Sequence, residues 1–361
     1  MTGSSMKAVV TTGHGGYGVL RFRDVPVPQV GAGEALIEVR AAGVNNTDIN
    51  LRLGWYASSA EAVPGAMDSG DDGASASAGE GGWNRPPPFP LIQGADACGK
   101  VVEVADGVDG NLVGRRVLVR PCVREHGFDA LDTLWMGSDF DGAFAQYVRV
   151  PASEVFPVEC DWTDAELGSV PCACGTAEAM LHRAEVTPAD VVLVTGASGG
   201  VGSATVQLAG RRGAEVIAVA GRGKRARVAE LGAEKVLGRS SDLLAALGER
   251  SVDVVVDNVA GAGFPTMLKL LKPGGRLVSS GAVAGPIVEL DMRDLYLKDI
   301  TLLGSTAWDE PVFPNLVRAI EGGEIRPVLD RTFPLSSIVE AQKVFLTRRH
   351  VGKLVLLPWE E

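Results

Sequence analysis

Cysteine is scarce in this chain and badly spaced for metal or disulfide work. The five present, Cys98, Cys122, Cys160, Cys172 and Cys174, are odd in number and form no paired Cys-x-x-Cys clusters. Neither a disulfide framework nor a structural zinc lobe is indicated, and reduced thiols are expected. Long apolar runs are missing as well. Nowhere do about 18 apolar residues follow one another, as a membrane-spanning helix requires. The opening MTGSSMKAVV has no basic stretch leading into an apolar one. A cytosolic location without a membrane partner is expected. Positive charge is in deficit: a formal net charge of -11 repels nucleic acid and acidic membrane surfaces, although a local basic pocket for a phosphate is compatible with it. The histidines His14, His126, His182 and His350 do not cluster, and each reads as a surface or packing residue rather than a catalytic one.

What is present describes an ordinary folded protein. Hydrophobic residues make up 46% of the chain and charged ones 22%, which argues against disorder over most of its length. At 361 residues the chain exceeds the size at which one core stays efficient, so two domains are expected. From Lys7 to about Val155, short alternating runs such as ALIEVRAAGV, GKVVEVA and RRVLVRP stand between Gly, Pro and Asp turns, as in a mostly β domain. Residues 57–90 shift to Gly, Ala, Ser and Asp and close on RPPPFP, too little apolar surface to offset the entropy of ordering them. An exposed flexible insertion is expected there, either a passive loop or a lid.

Past Asp161 the period changes. Thr163 and Glu166 have capping-box spacing and predict a helix start. Apolar strands then alternate with amphipathic helices: VVLVTG and a helix over 201–212, AEVIAVA and a helix over 224–231, VDVVVDNV and a helix over 264–271, then GRLVSSG. That rhythm predicts an α/β fold with a doubly wound parallel sheet. The final apolar run, in HVGKLVLL, predicts a strand that rejoins the N-terminal domain.

The segment VVLVTGASGGVGSATVQLA sets a Gly-rich turn directly between an apolar strand and a helix. There the helix N-terminus presents unpaired N–H groups and a partial positive charge, and missing side chains let a diphosphate come close. Read as a variant dinucleotide fingerprint, Ala197, Gly199 and Gly202 hold the three diagnostic places, and Ser198, Gly200 and Val201 complete the turn. The second strand ends IAVAGRGKRAR, without the carboxylate that would hydrogen-bond an unphosphorylated ribose; Arg222, Lys224 and Arg225 are placed to hold a 2′-phosphate instead. NADPH is therefore the expected cofactor. Asp257 and Asn258, and Ser280 and Gly281, end the next two strands at the edge where such sheets bind ligands, and are candidate cofactor contacts or turn formers.

The chain resembles the medium-chain dehydrogenase/reductase superfamily, in its zinc-free quinone oxidoreductase-like branch. The resemblance is carried in order by MKAVV, GVNNTDINLRLGWY, LIQGADACGKVVEVADGV, GRRVLV, DGAFAQYVRVP, VTGASGGVGSATVQLA and HVGKLVLL. It implies a GroES-like catalytic domain over residues 1–160 and 310–361, and a Rossmann NADPH-binding domain over 161–309. In zinc-dependent members three ligands hold a catalytic ion; the matching places here carry Asn45, Ala95 and Cys172, and one thiolate alone cannot hold zinc. The alternative is a site improvised from Cys172, Asp48 or Asp96. No metal is expected. Without a Lewis acid the implied substrate is one that delocalises incoming charge, a quinone or an α,β-unsaturated carbonyl compound.

The resemblance also implies that Asn45 donates a hydrogen bond to the substrate oxygen and that Tyr56 lines the pocket. Where relatives often carry a tyrosine this chain has Asn50, so that tyrosine's proton-donor role does not transfer, and the proton comes from water or Tyr56. Thr176 matches a threonine that approaches the cofactor, with a helix cap as the alternative. Lys353 either approaches the cofactor or is a solvated strand lysine. A homodimer through DITLLGSTAW is implied, with a small-molecule substrate as the other partner. Competing functions are an alcohol dehydrogenase with non-standard zinc ligation and a non-catalytic NADPH-binding protein.

Overall fold

The computed structural model describes residues 5–56 and 85–360. Of the insertion placed at 57–90, the part up to residue 84 lies outside the described residues, and its lid or loop role with it.

Two compact units form. One takes the chain up to Cys172 and from Leu329 onward, the other Ala173–Val328. The sequence placed these boundaries near 160 and 310, and the difference at each end has a packing cause. The helix Asp164–Gly168 begins at the Thr163–Glu166 capping box but buries Leu167 and lays Gly168 against Ala41 of the first unit's sheet. At the other end, the helix Val312–Glu321 buries Val312, Phe313 and Leu316, and Phe313 stacks on Trp308 of the second unit. An amphipathic pattern shows which face is buried, not against which sheet.

In the first unit a seven-stranded sheet runs in the order Val155–Pro157, Arg116–Val119, Cys98–Val104, Glu34–Gly43, Lys353–Leu357, Leu329–Pro334, with Tyr147–Pro151 also paired to Glu34–Gly43. Its core includes Ile37, Val39, Val101, Val117, Leu354 and Leu356. The strand Lys353–Leu357 returns as expected: it pairs antiparallel with Glu34–Gly43, Val355 opposite Gly43, and the Val44 N–H donates to Leu354 O at 2.9 Å. That register carries Lys353 to the end of the strand leading into Asn45.

The second unit holds a six-stranded parallel sheet in the order Lys235–Gly238, Glu215–Ala220, Val191–Val194, Val252–Val256, Leu271–Ser279, Thr301–Gly304. The sequence order reverses between Val191–Val194 and Val252–Val256, so a switch point lies at the C-terminal end of the first of them. Leu193, Ile217, Val219, Val255, Leu268 and Leu277 fill one core cluster. Among the described residues no helix is long and apolar enough to cross a membrane.

Candidate active site

At the switch point the Gly-rich turn joins Val191–Val194 to the helix Gly200–Arg211. Gly196 turns the chain with φ +57, and the N–H of Ala197 donates to Val219 O at 3.1 Å, tying the turn to the adjacent strand. Gly199 caps the helix with no side-chain hydrogen bond, so the first-turn N–H groups have no side-chain acceptor and can meet an anion. Ala197 and Gly202 are buried, whereas Ser198, Gly199, Gly200 and Val201 are half-exposed. A methyl at Gly202 would lie 2.4 Å from Gly196 O, whereas one at Gly199 would meet nothing nearer than 3.6 Å. One glycine packs helix on turn and the other leaves room above it, so these residues fit a dinucleotide diphosphate.

The strand Glu215–Ala220 runs into a 3-10 turn, Arg222–Lys224, and then a helix that starts at Arg225. Arg222 and Arg225 are exposed and make no ion pair among the described residues, while Lys224 is half-buried. This basic segment ends the strand adjoining the Gly-rich turn, where a ribose 2′-substituent on the cofactor is expected.

The other strand ends are engaged internally. Asp257 is buried and its carboxylate accepts from Thr195 Oγ1 at 2.6 Å and from the Val259 N–H at 2.9 Å, closing a turn. Asn258 Oδ1 accepts from the Ser280 N–H at 2.8 Å and from Ser280 Oγ at 3.1 Å, which clips two strand ends together. Ser280 and Gly281 are exposed at that edge. Thr176 is half-buried inside the helix Pro171–Arg183, which sets aside its reading as a helix cap.

The first unit gathers a second set of residues. Asn45 lies between the strand Glu34–Gly43 and the helix Asn46–Leu53, and Asp48, three residues on, accepts from the Asn45 N–H at 2.7 Å. Asp96, fully buried in the loop between Leu91–Ile92 and Cys98–Val104, takes the Cys172 N–H on Oδ1 at 2.5 Å. Its Oδ2 accepts from Asn45 Nδ2 at 2.8 Å and from Lys353 Nζ at 2.9 Å. Lys353 also donates to Asn45 Oδ1 at 2.5 Å and to Val44 O at 3.1 Å. Its exposure is 4%, so the solvated strand lysine of the sequence is a buried ammonium whose three hydrogens are all placed.

Burial lifts the Asp48 carboxyl to about 7, against the opposing pull of the Asn45 N–H and Lys353; the Asp96 charge pushes it the same way as burial does. Tyr56 adjoins the set. Asn50 Nδ2 lies 3.4 Å from Tyr56 Oη, and Asn50 Oδ1 is buried without a partner. The phenol is pushed upward chiefly by burial, with Cys172 and Asp48 adding to this and Asn50 and Thr47 hydrogen bonds opposing it, so it keeps its proton at neutral pH.

The structure thus brings Asn45, Asn50, Tyr56 and Lys353 together in one unit, and Ala197–Gly202 together with the Arg222–Arg225 segment in the other. Residue patterns pointed to Asp48 and Asp96 only as improvised zinc ligands; the available signals were the Asn45–Asp48 capping spacing and a carboxylate inside the otherwise small and apolar GADAC turn. Zinc does not fit these donors. Ala95 offers no ligand atom, the Asn45 oxygen is held by an ammonium, and among the described residues no three His, Cys, Asp or Glu side chains group to hold a metal ion.

Comparisons with known proteins agree with this layout. A family model described as the alcohol dehydrogenase GroES-like domain matches residues 31–160, and one described as zinc-binding dehydrogenase matches residues 200–322. Acryloyl-coenzyme A reductase of Metallosphaera sedula is 30% identical, with 97% of this chain and 99% of that protein covered. Quinone oxidoreductase of Rattus norvegicus is 28% identical, with 98% of each covered. A solved putative alcohol dehydrogenase from Sinorhizobium meliloti 1021 is 43% identical, with a TM-score of 0.88 over 98% of this chain and 97% of that one. With both domain types matched in order and a relative aligned end to end, the chain belongs to the medium-chain dehydrogenase/reductase superfamily and is an oxidoreductase that uses a nicotinamide cofactor.

Proposed function

We propose that the protein is an NADPH-dependent reductase of quinones or α,β-unsaturated carbonyl compounds that works without zinc. The observation that carries this reading is that Asn45, at one of the places matching a zinc ligand, has its oxygen held by Lys353 and its nitrogen by Asp96 in a closed network. Without a Lewis acid, a plain ketone or alcohol is a poor hydride partner, whereas an enone or quinone spreads the arriving charge onto its oxygen. The names of the acryloyl-coenzyme A reductase and quinone oxidoreductase relatives point to the same substrate chemistry.

The Gly199–Gly202 turn holds the cofactor diphosphate, and Arg222, Lys224 and Arg225 hold its 2′-phosphate. When bound, the nicotinamide supplies the hydride. Of the two Asn45 amide hydrogens, the one on Gly43 O is held at 3.3 Å, and it is this longer bond that a substrate oxygen displaces. Tyr56, which keeps its proton at neutral pH, delivers it to the reduced product, with Asn50 holding the phenol oxygen.

The reading is tested with purified protein, NADPH or NADH, and a panel of enones, quinones and simple alcohols, with and without a chelator. Enone or quinone turnover that resists chelation is expected. Arg222→Ala with Arg225→Ala should raise KM for NADPH by about tenfold or more while leaving NADH nearly unchanged, because only the phosphorylated ribose loses its partners. Turnover confined to alcohols and abolished by the chelator would refute the reading.

The active species is a homodimer in the cytosol. The strand Thr301–Gly304 is an edge of the second sheet with Leu302 exposed, and the segment before it exposes Ile287, Met292, Tyr296 and Leu297. An unpaired edge flanked by apolar side chains favours pairing with a second copy. Leu302→Asp should therefore convert the dimer to a monomer in sedimentation; a profile like that of the parent protein counts against this interface.

A further inference from the structure

We infer that Lys353 is the cation that fixes the Asn45 amide, and that it acts on the substrate through that amide. The inference rests on the functional reading above. Three observations lead to it. The ammonium is 4% exposed and its hydrogens go to Val44 O, Asn45 Oδ1 and Asp96 Oδ2, so it has none left for a ligand. Asp96 is fully buried and is satisfied on both oxygens, by Lys353 and Asn45 on one and by the Cys172 N–H on the other. The Asn45 amide is consequently held in one orientation, with its oxygen on the cation and its nitrogen facing Asp96 and Gly43 O.

That orientation has a chemical effect. A lysine has no acceptor, so rotating the amide would set its NH2 against the ammonium; the nitrogen is fixed as the donor, toward Asp96 and Gly43 O. A cation on the amide oxygen draws density from the nitrogen, which strengthens Nδ2–H donation to a substrate oxygen that gains charge as hydride arrives. Lys353 is thus a positioning residue, and Asn45 is the group that touches substrate. The same arrangement keeps a divalent ion out, because such an ion would lie beside an ammonium and find the Asn45 oxygen taken. Gly43 is part of the device: a methyl there would lie 2.4 Å from Asp96 Oδ2.

The test uses the full-length protein, Lys353→Met, and the double variant Lys353→Met with Asp96→Asn, which keeps the buried pair neutral should the single variant fold poorly. Parent protein dialysed against zinc chloride should retain no stoichiometric zinc by elemental analysis. By NMR, the Asn45 side-chain amide protons should be slow to exchange in the parent and lose that protection in both variants, because the cation that fixes the amide is gone. Both variants should lose about 100-fold in kcat for enone reduction. NADPH affinity by calorimetry should stay within about twofold, since no dinucleotide contact is removed.

Parent-like kcat in the double variant, a loss that falls on NADPH affinity instead, or stoichiometric zinc in the parent would each overturn the inference. So would parent-like protection of the Asn45 amide in folded Lys353→Met. A parent protein that reduces no enone or quinone is the failure of the functional reading, and the Asn45 amide and zinc measurements still decide the role of the cation.

Discussion

Gly202→Ala is expected to weaken NADPH binding at least about 100-fold and to lower the melting temperature, while Gly199→Ala, three residues earlier, leaves the fold intact and costs cofactor affinity alone. The two glycines differ in what surrounds them. A Cβ at 202 would lie 2.4 Å from Gly196 O and 2.7 Å from Ala197 Cα, both backbone atoms of the turn that presents its N–H groups to the diphosphate. Relief requires moving the turn away from the helix, which removes the anion site and strains the contact with Val219 O. At Gly199 the φ of -82 suits any residue and the nearest atom is 3.6 Å away, so the added methyl clashes with no protein atom and obstructs only an approaching phosphate. Calorimetric titration with NADPH beside a thermal scan separates the two effects. Gly202→Ala binding NADPH as tightly as the parent protein would remove the Gly-rich turn from the cofactor site.

That contrast shows which parts of the molecule local sequence can reveal. The turn was legible because strand, glycines and helix are neighbours along the chain, and each element announces itself by its own period. The helices after the first, second and fourth parallel strands lie near where periodicity set them, at Gly200–Arg211, Arg225–Ala229 and Phe264–Leu270. The domain seams were less legible, since Leu167 and Phe313 declare a buried face without naming the sheet that buries it.

The network around Asp96 was hidden for a different reason. Lys353 meets Asn45 across 308 positions of chain because Val355 happens to pair with Gly43, and a shift of one residue in that register would turn the lysine to the opposite face. Nothing near Lys353 in the sequence encodes that pairing. Asp257 shows the converse limit: an acidic residue at a strand end reads alike whether it greets a ribose or, as here, turns inward to Thr195.

Asp48→Asn should stabilise the protein at pH 8 and leave its stability unchanged at acidic pH. The carboxyl is buried, and that burial raises its pKa from 3.8 to about 7 in the folded chain. Below about pH 4 both folded and unfolded chains hold the proton, and the group contributes nothing to the pH dependence. Between about pH 4 and pH 7 the unfolded chain has released its proton while the folded chain retains it, so stability falls as pH rises through this window. Above about pH 7 the full penalty applies, on the order of 4 kcal/mol for a shift of this size. Asparagine keeps an oxygen for the Asn45 N–H, which donates to Asp48 at 2.7 Å, yet carries no charge to desolvate. Urea midpoints of parent and variant should coincide near the acid end and diverge steadily toward pH 8, with the variant above. Parallel profiles across the whole range would mean that Asp48 is already ionised at low pH, held so by Lys353 more strongly than burial opposes it.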